Sequence, residues 1–208
     1  MIDIYAWRTS NGLRATIALA ESGLEHRVMP IDLGAKANRS DAYLAINPSG
    51  QTPTLVDHEG LHGKPVVLRQ SGAIVLYALT KAKRHIPADP EDHAVALQWF
   101  MQAASDIAGT SASMNQMENV TPEKVPAHIK LFRDRFTRYF GDVERQLNGR
   151  DYLAGPLSFA DFMLYPNYAL RKDLLDAQTF PALAAWGERM SSRPGVQAGM
   201  ALYTGAAK

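Results

Sequence analysis

The change of hydrophobic period along roughly the first eighty residues constrains the fold of this chain more than any other feature. Four short segments have the alternation or the flanking turns that are typical of β-strands. These segments lie at residues 2–6, 26–33, 54–57 and 65–68. Helical three- and four-residue spacing appears between the first two, where it stops at Gly23, and again from Ser71 onward. The order β-α-β, loop, β-β-α therefore predicts a mixed four-stranded sheet with helices, which begins with a parallel βαβ unit and ends in a hairpin.

The second half of the sequence has helical patterns only. Amphipathic or apolar helices are predicted at residues 91–104, at 127–147 and in two or three segments from Ser158 to the end. The stretch 105–126 is small and polar and fits neither period. We therefore predict an α/β domain at residues 1–83, a proline-bearing linker at 84–90 and an all-helical bundle domain at 91–208.

Composition excludes several classes of function. The chain has no cysteine, which removes disulfide scaffolds, thiolate metal sites and a protein thiol nucleophile, so any reactive thiol must arrive on a ligand. The 22 Lys and Arg nearly cancel the 21 Asp and Glu, so no overall field favours nucleic acid or an anionic membrane. The opening residues lack the pattern of a secretory signal, and no apolar run approaches the ~20 residues that span a bilayer. We therefore expect a cytoplasmic protein with no nucleic-acid or membrane partner.

The turn between the first strand and the first helix is a candidate anion site. Its sequence is Thr9-Ser10-Asn11-Gly12. A helix N-terminus presents unpaired N–H groups and a partial positive charge, and nearby hydroxyl or amide donors would add hydrogen bonds to a bound thiolate. Ser and Asn are also among the commonest N-caps, so capping of the helix by Ser10 or Asn11 explains the same residues without a ligand.

Two later turns also allow either a ligand-binding or a purely structural interpretation. Pro53 cannot donate to a sheet ladder, so the backbone of Thr52 could remain available to a ligand; the plain alternative is an ordinary trans proline in a loop. Gln70 offers a donor and an acceptor to an amino-acid head group, and Ser71 at a helix N-cap could bind a carboxylate. Simple capping is again the alternative.

The sequence His58-Glu59-Gly60-Leu61-His62 matches the H-E-x-x-H pattern of zinc proteases. That chemistry requires a helix, which places both imidazoles on one face. Here Gly60 lies inside the motif and Pro65 follows it, between two strand patterns, which predicts a β-turn. The zinc interpretation is therefore rejected, and no metal is expected.

The order and spacing of these segments carry more information than any one of them. With the capping box of Ser158 and Asp161, they resemble the cytosolic glutathione transferase superfamily across essentially the whole chain. The opening, with Thr-x-Asn-Gly at 9–12 and Ile-Asp-Leu-Gly at 31–34, is most similar to the bacterial Nu class. The resemblance implies a thioredoxin-like first domain that binds glutathione and a helical second domain.

The resemblance also implies a glutathione-binding role for five residues. Thr52 would pair its backbone with the cysteinyl part of glutathione, ahead of a cis-Pro53. Gln70 and Ser71 would hold the γ-glutamyl amine and carboxylate, and Gln51 would lie near the glycyl end. Gln70 stands where Glu is usual, which removes one negative charge from the site.

The catalytic residues implied by the resemblance are Thr9, Ser10 and Asn11. Thr9 and Asn11 match Nu-class positions that approach the glutathione sulfur. Ser10 replaces the proline common in that class, and it precedes Arg14 by four residues, as the catalytic hydroxyl of serine-type classes precedes a basic residue. Which of these residues contacts the sulfur is left open.

We therefore expect a glutathione-dependent enzyme that activates the thiolate for disulfide-bond reduction, for conjugation to electrophiles in detoxification, or for both. Glutathione would be its substrate or cosubstrate, the second substrate a small electrophile or a disulfide, and the family implies a homodimer. The alternative is a non-catalytic glutathione- or protein-binding module on the same fold.

Overall fold

The computed structural model describes residues 1–201 and contains four β-strands and nine α-helices within that range. The strands are β1 Ile2–Ala6, β2 His26–Pro30, β3 Thr54–Asp57 and β4 Val66–Arg69. The helices are α1 Ser10–Ser22, α2 Asp41–Ile46, α3 Ser71–Ala82, α4 Pro90–Gln102, α5 Ala108–Asn115, α6 Pro126–Leu147, α7 Phe159–Leu170, α8 Pro181–Ser191 and α9 Pro194–Ala201. None of these helices is long and apolar enough to cross a membrane.

The first compact unit is built on a four-stranded mixed sheet with the strand order β2-β1-β3-β4. Strand β1 pairs in parallel with β2 and antiparallel with β3, and β3 and β4 form the hairpin. Helix α1 packs against α3 and carries fully buried apolar side chains, among them Leu13 and Ile17. The predicted mixed sheet, its βαβ start and its terminal hairpin are confirmed.

Strand β2 ends at Pro30, three residues before the end of the predicted strand. The backbone N–H of Ile31 still donates to Ala6, but the carboxylate of Asp32 then accepts the N–H groups of Gly34 and Ala35. A side chain that satisfies the backbone in this way offers an alternative to the sheet ladder, so the chain turns away at Asp32.

The last described helix, α9, belongs by its contacts to the first unit, which among the described residues comprises 1–86 and 191–201. Its Gly199 lies so close to α1 that a Cβ there would be 2.5 Å from the Cα of Ile17, and the hydroxyl of Thr16 donates to the Gly199 carbonyl at 2.9 Å. The helical pattern of these residues predicts that they belong to the all-helical domain, because helical periodicity does not reveal what a helix packs on. Residues 202–208 of that predicted domain lie outside the described residues.

The second compact unit, residues 87–190, is helical. The predicted capping box is present at the start of α7, where Asp161 accepts the backbone N–H of Ser158 at 3.0 Å. Fully buried Asp161 also accepts hydrogen bonds from the backbone of Leu153 and the indole of Trp186. Burial raises the pKa of Asp161, although these hydrogen bonds act in the opposite sense. The box thus ties α7 to α8 and to the preceding turn, in keeping with a structural role.

The stretch 105–126, which the sequence left unassigned, is largely helical. Two π-helical segments, Ala103–Ile107 and Gln116–Val120, flank α5. Each π segment widens the helical turn and shifts the faces of the residues that follow, so no single period holds across the stretch. That shift explains why the hydrophobic pattern was unreadable.

Candidate functional site

The N-terminus of α1 is fixed by Thr9 and Gly12. Thr9 has an extended backbone, and its Oγ1 accepts the N–H of Gly12 at 3.1 Å, which makes Thr9 the N-cap. The expectation of a cap at Ser10 or Asn11 was therefore wrong, because both residues already lie within the helix. A Cβ on Gly12 would be 2.0 Å from the carbonyl oxygen of Trp7, so the close approach of strand and helix requires glycine at this position.

Arg14 lies one turn into α1 and is 1% exposed. Its Nη1 donates to Oδ1 of Asn11 at 2.6 Å and lies 3.5 Å from Oγ of Ser71 at the start of α3. Burial lowers the pKa of Arg14 to about 10, so it remains a cation at neutral pH. Because Oδ1 of Asn11 faces this cation, the amide nitrogen of Asn11 faces away from it as a donor.

The loop before β3 contains the cis peptide bond Thr52–Pro53. Two buried side chains hold this loop: Tyr43 donates its hydroxyl to the Gln51 carbonyl at 2.6 Å, and Asn47 Nδ2 donates to the same oxygen at 2.7 Å. Neither the backbone N–H nor the carbonyl of Thr52 bonds to another described residue. The loop therefore presents one unpaired backbone segment in a fixed position.

Gln70 lies at the junction of β4 and α3 with φ 74° and ψ 119°, a region that non-glycine residues rarely adopt. It is the N-cap of α3 but makes no side-chain capping bond, and Ser71 is the first residue of the helix. The expectation of a Ser71 cap was therefore wrong. Such backbone strain concentrates at binding and catalytic sites, and here it borders the other residues of the site.

These turns border one shared pocket within the first unit. The residues that line it are Asn11, Asn47, Ser49, Gln51, Thr52, Pro53, Arg69, Gln70 and Ser71. All five residues implied for glutathione binding lie in this lining, together with Asn11; Thr9 and Ser10 are not part of it. Asn47 and Ser49 lie in a turn-rich stretch of the sequence, which could have marked them as pocket residues. Nothing in the sequence marks Arg69 except its position next to Gln70.

The residues of the H-E-x-x-H match lie elsewhere, in the connection between β3 and β4. That connection consists of turns, and His58 directs its Nε2 to the carboxylate of Asp3 at 3.0 Å. In residues 1–201 no group of three or more His, Cys, Asp or Glu is arranged to hold a metal ion.

A four-stranded mixed sheet with a pocket beside a cis-proline loop, followed by a helical unit, is the architecture expected of a glutathione transferase. Comparison with known families gives the same class. Residues 2–80 match the N-terminal domain of glutathione S-transferases and residues 108–200 match their C-terminal domain. The chain belongs to the glutathione S-transferase family, which confirms the resemblance drawn from the sequence.

Among its relatives is the disulfide-bond oxidoreductase YfcG of Escherichia coli, 29% identical over 197 residues, which cover 93% of this chain and 92% of that protein. The glutathione S-transferase-like protein tpcF of Aspergillus fumigatus is 30% identical over 219 residues, covering 96% and 95%. The solved structure of the glutathione transferase URE2P6 from Phanerochaete chrysosporium, in complex with oxidised glutathione, superimposes with a TM-score of 0.85 at 28% identity, covering 95% and 94%.

Proposed function

We propose that this chain is an enzyme that binds glutathione in the pocket of the first unit and activates its thiol for disulfide-bond reduction. The unpaired backbone of Thr52, next to cis-Pro53 and in one pocket with Asn11 and Ser71, is the observation that carries the proposal. An extended tripeptide can form main-chain hydrogen bonds with such a segment, as peptides do at a free strand edge.

The ligand is proposed to lie with its cysteinyl residue on Thr52, its γ-glutamyl end at Gln70 and Ser71, and its glycyl end near Gln51. This orientation directs the sulfur towards the N-terminus of α1. Asn11 is the proposed direct donor to the sulfur, since Asn11 lines the pocket and its amide nitrogen faces away from Arg14. Thr9 and Ser10 act through the geometry of the turn.

The proposed catalytic effect is a lower pKa of the bound thiol. At an ordinary thiol pKa of roughly 8.5, only a few per cent is thiolate at neutral pH, and a shift of about two units corresponds to roughly 2.7 kcal/mol. A hydrogen bond from Asn11 and the partial positive charge of the α1 N-terminus act in this direction, as does the charge of Arg14, 2.6 Å from Asn11.

The thiolate then attacks one sulfur of a disulfide, which forms a mixed disulfide with glutathione and releases the other sulfur as a thiolate. A second glutathione thiolate attacks the mixed disulfide, so that glutathione disulfide and a second thiolate leave. Two glutathiones are oxidised and one disulfide is reduced, with no cysteine of the protein involved. The names of YfcG, an oxidoreductase of disulfide bonds, and of URE2P6, bound to oxidised glutathione, support this reaction class.

Conjugation is the second proposed activity, because the same thiolate can attack an electrophilic carbon and the relative tpcF is named as transferase-like. It would give the enzyme a part in detoxification. We further propose a cytoplasmic homodimer. Two exposed apolar side chains one turn apart on α4, Leu97 and Met101, support a self-association surface.

A side-by-side assay tests the proposal. The wild-type chain and the Thr9→Ala, Ser10→Ala and Asn11→Ala variants are compared in the reduction of a small disulfide by glutathione and in the conjugation of an aromatic halide. We expect wild-type activity in the first assay, with the greatest loss in Asn11→Ala. A chain that binds glutathione but is inactive in both assays would instead be the non-catalytic binding module.

A further inference from the structure

An exposed arginine lies in the turn that leads into α1. Arg8 is the second residue after β1 and immediately precedes Thr9, the N-cap of α1. Arg8 is exposed, and its side chain forms no hydrogen bond and no ion pair with any residue of the described range 1–201. By contrast Arg27, in the same unit, donates to the carboxylate of Asp3 at 2.8 Å. The charge of Arg8 is therefore not compensated by a described side chain.

The backbone holds Arg8 at a fixed place. The N–H of Thr9 donates to the carbonyl of Trp7 at 2.7 Å, so the chain makes a three-residue turn with Arg8 at its centre. The same Trp7 oxygen would be 2.0 Å from a Cβ on Gly12, which places this turn against the first residues of α1. Three Cα–Cα steps separate Arg8 from Asn11, so their Cα atoms are at most about 11 Å apart. The guanidinium is thus attached next to the helix end at which the sulfur is proposed to lie.

The place of Arg8 suits the second substrate better than glutathione. The two carboxylates of glutathione are proposed to lie at Gln70 and Ser71 and near Gln51, all of which line the pocket, whereas Arg8 is not part of that lining. The disulfide is the reactant that reaches the sulfur from outside the lining. A free cation beside the N-terminus of α1 therefore acts on the disulfide.

A second cation lies at the same edge of the sheet. Thr54 pairs with both Tyr5 and Arg69, so the end of β1, the start of β3 and the end of β4 share one edge. Arg69 is exposed, and its Nη2 donates to a neutral backbone carbonyl. Asp32, which follows β2 at this edge, accepts two backbone N–H groups and forms no ion pair with either arginine. In the described part of the chain, two exposed cations thus lie at this edge with no carboxylate paired to them.

We infer that Arg8 is a specificity residue for the second substrate, and that it favours disulfides with an anionic group close to the sulfur atoms over neutral and cationic ones. The guanidinium attracts a carboxylate, sulfonate or phosphate on the approaching disulfide and repels an ammonium group. Its attraction also offsets the repulsion between an anionic disulfide and the glutathione thiolate. Arg8 takes no part in the bond-breaking steps. This inference rests on the proposed function, since it takes the position of the sulfur at α1 as given.

Three disulfides with the same two-carbon arms and different end groups test the inference. Dithiodipropionate has carboxylates, bis(2-hydroxyethyl) disulfide has hydroxyls and cystamine has ammonium groups. The full chain, Arg8→Gln and Arg8→Lys are compared in the reduction of each by glutathione at low ionic strength, where exposed charges are least screened.

The effect of Arg8→Gln should depend on the charge of the disulfide. We expect kcat/KM to fall by about three- to fivefold for dithiodipropionate, to rise by up to about threefold for cystamine and to change by less than about 1.5-fold for the neutral disulfide, because an exposed charge pair has only a modest effect in water. Arg8→Lys keeps the charge and should behave like the wild type. Salt at about 0.5 M should abolish the difference between Arg8→Gln and the wild type.

Lys64→Gln is the matched control, because it removes the same charge from the opposite edge of the sheet. Lys64 is exposed, has no side-chain partner among the described residues, and lies in the connection between β3 and β4, beyond the pairing of Asp57 with Ile2. This variant should leave all three rates within about 1.5-fold of the wild type.

The outcomes separate the inference from the proposed function. If Arg8→Gln changes the three rates by one common factor or not at all, or if Lys64→Gln changes them as Arg8→Gln does, the inference is overturned and the proposed function stands. If the wild-type chain reduces none of the three disulfides, the proposed function fails and the inference falls with it.

Discussion

At the scale of single residues, the site depends on an arrangement that local sequence patterns do not show. The sequence presents Thr9, Ser10 and Asn11 as equivalent donors at a helix start, and it gives no sign that Arg14 is buried. Arginine is rarely buried without a partner, so a basic residue on a helix is ordinarily predicted to be exposed to solvent. The hydrogen bond from Arg14 distinguishes Asn11 from Thr9 and Ser10. Because Arg14 donates to Oδ1 of Asn11, the amide nitrogen of Asn11 faces away from Arg14.

Replacing Asn11 by Asp tests this arrangement. The aspartate keeps an oxygen for Arg14, 2.6 Å away in the wild type, but it removes the amide donor and places a negative charge beside the sulfur. We expect kcat/KM for disulfide reduction to fall by about 10- to 100-fold. The melting temperature should not fall, since the new carboxylate pairs with a buried cation. Activity equal to the wild type would show that Asn11 does not act on the sulfur.

At the scale of elements, much of the architecture could be predicted, because period-2 and helical patterns separate cleanly in the first unit. The sequence locates all four strands and helices α1 and α3, as well as the capping box of α7. It misplaces both caps at the site and leaves the two π-helical segments unassigned. Caps depend on φ and ψ at one residue, and π segments depend on a single extra residue per turn, which hydrophobic periodicity cannot resolve.

The junction of β1 and α1 makes a prediction about glycine. In Gly12→Ala the new Cβ would overlap the Trp7 carbonyl, so the first turn of α1 must shift, and we expect a loss of about 1–3 kcal/mol in the free energy of unfolding. Gly109→Ala in α5 is the matched control. Apart from its chain neighbours and the backbone of its own helix, no atom of the described residues lies within 4 Å of the added Cβ, so alanine there should stabilise by up to about 1 kcal/mol. Urea denaturation measures both, and equal stabilities would refute the packing argument.

A buried ion pair joins α1 to the segment before α9. Glu21 accepts two hydrogen bonds from Arg193, at 2.9 and 2.8 Å, and lies 3.4 Å from His85. Burial alone would raise the pKa of Glu21, but the hydrogen bonds from Arg193 and the nearby imidazole of His85 outweigh burial and lower the pKa to about 2. Because the folded pKa lies below the ordinary value of 4.5, the stabilisation is complete above that pH and is lost as the pH falls towards 2.

Glu21→Gln should therefore lower the free energy of unfolding by on the order of 2 kcal/mol at pH 7. The difference from the wild type should narrow as the pH falls to about 3, where the unfolded carboxyl is protonated. Chemical denaturation at the two pH values measures it. A difference that is the same at both would mean that the charge of Glu21 is not the source of its contribution.

At the scale of the whole molecule, the family assignment follows from the order of elements and motifs rather than from any one motif. Each turn of the pocket has an ordinary structural explanation when it is considered alone. Only the order and spacing of these turns along the chain predict that the protein binds glutathione. Self-association has no such signal in the sequence, because exposed apolar side chains become visible only when the faces of the helices are known.

The proposed homodimer is tested on α4. Met101 is 54% exposed, and a charge introduced there would be desolvated in an interface, so we expect Met101→Glu to shift the protein towards the monomer in sedimentation velocity. Leu131→Glu on α6 is the matched control, with a wild-type side chain 52% exposed. If Met101→Glu sediments as the wild type does, α4 is not the interface.

The pKa of the glutathione thiol in the complex is the sharpest test of the proposed thiol activation. Thiolate absorbance in the ultraviolet, followed against pH with saturating glutathione, gives the pKa of the sulfur on the protein. Asn11, Arg14 and the N-terminus of α1 together predict a pKa about two units below that of free glutathione. A bound thiol that titrates at the same pH as glutathione in solution would show that the protein does not activate it.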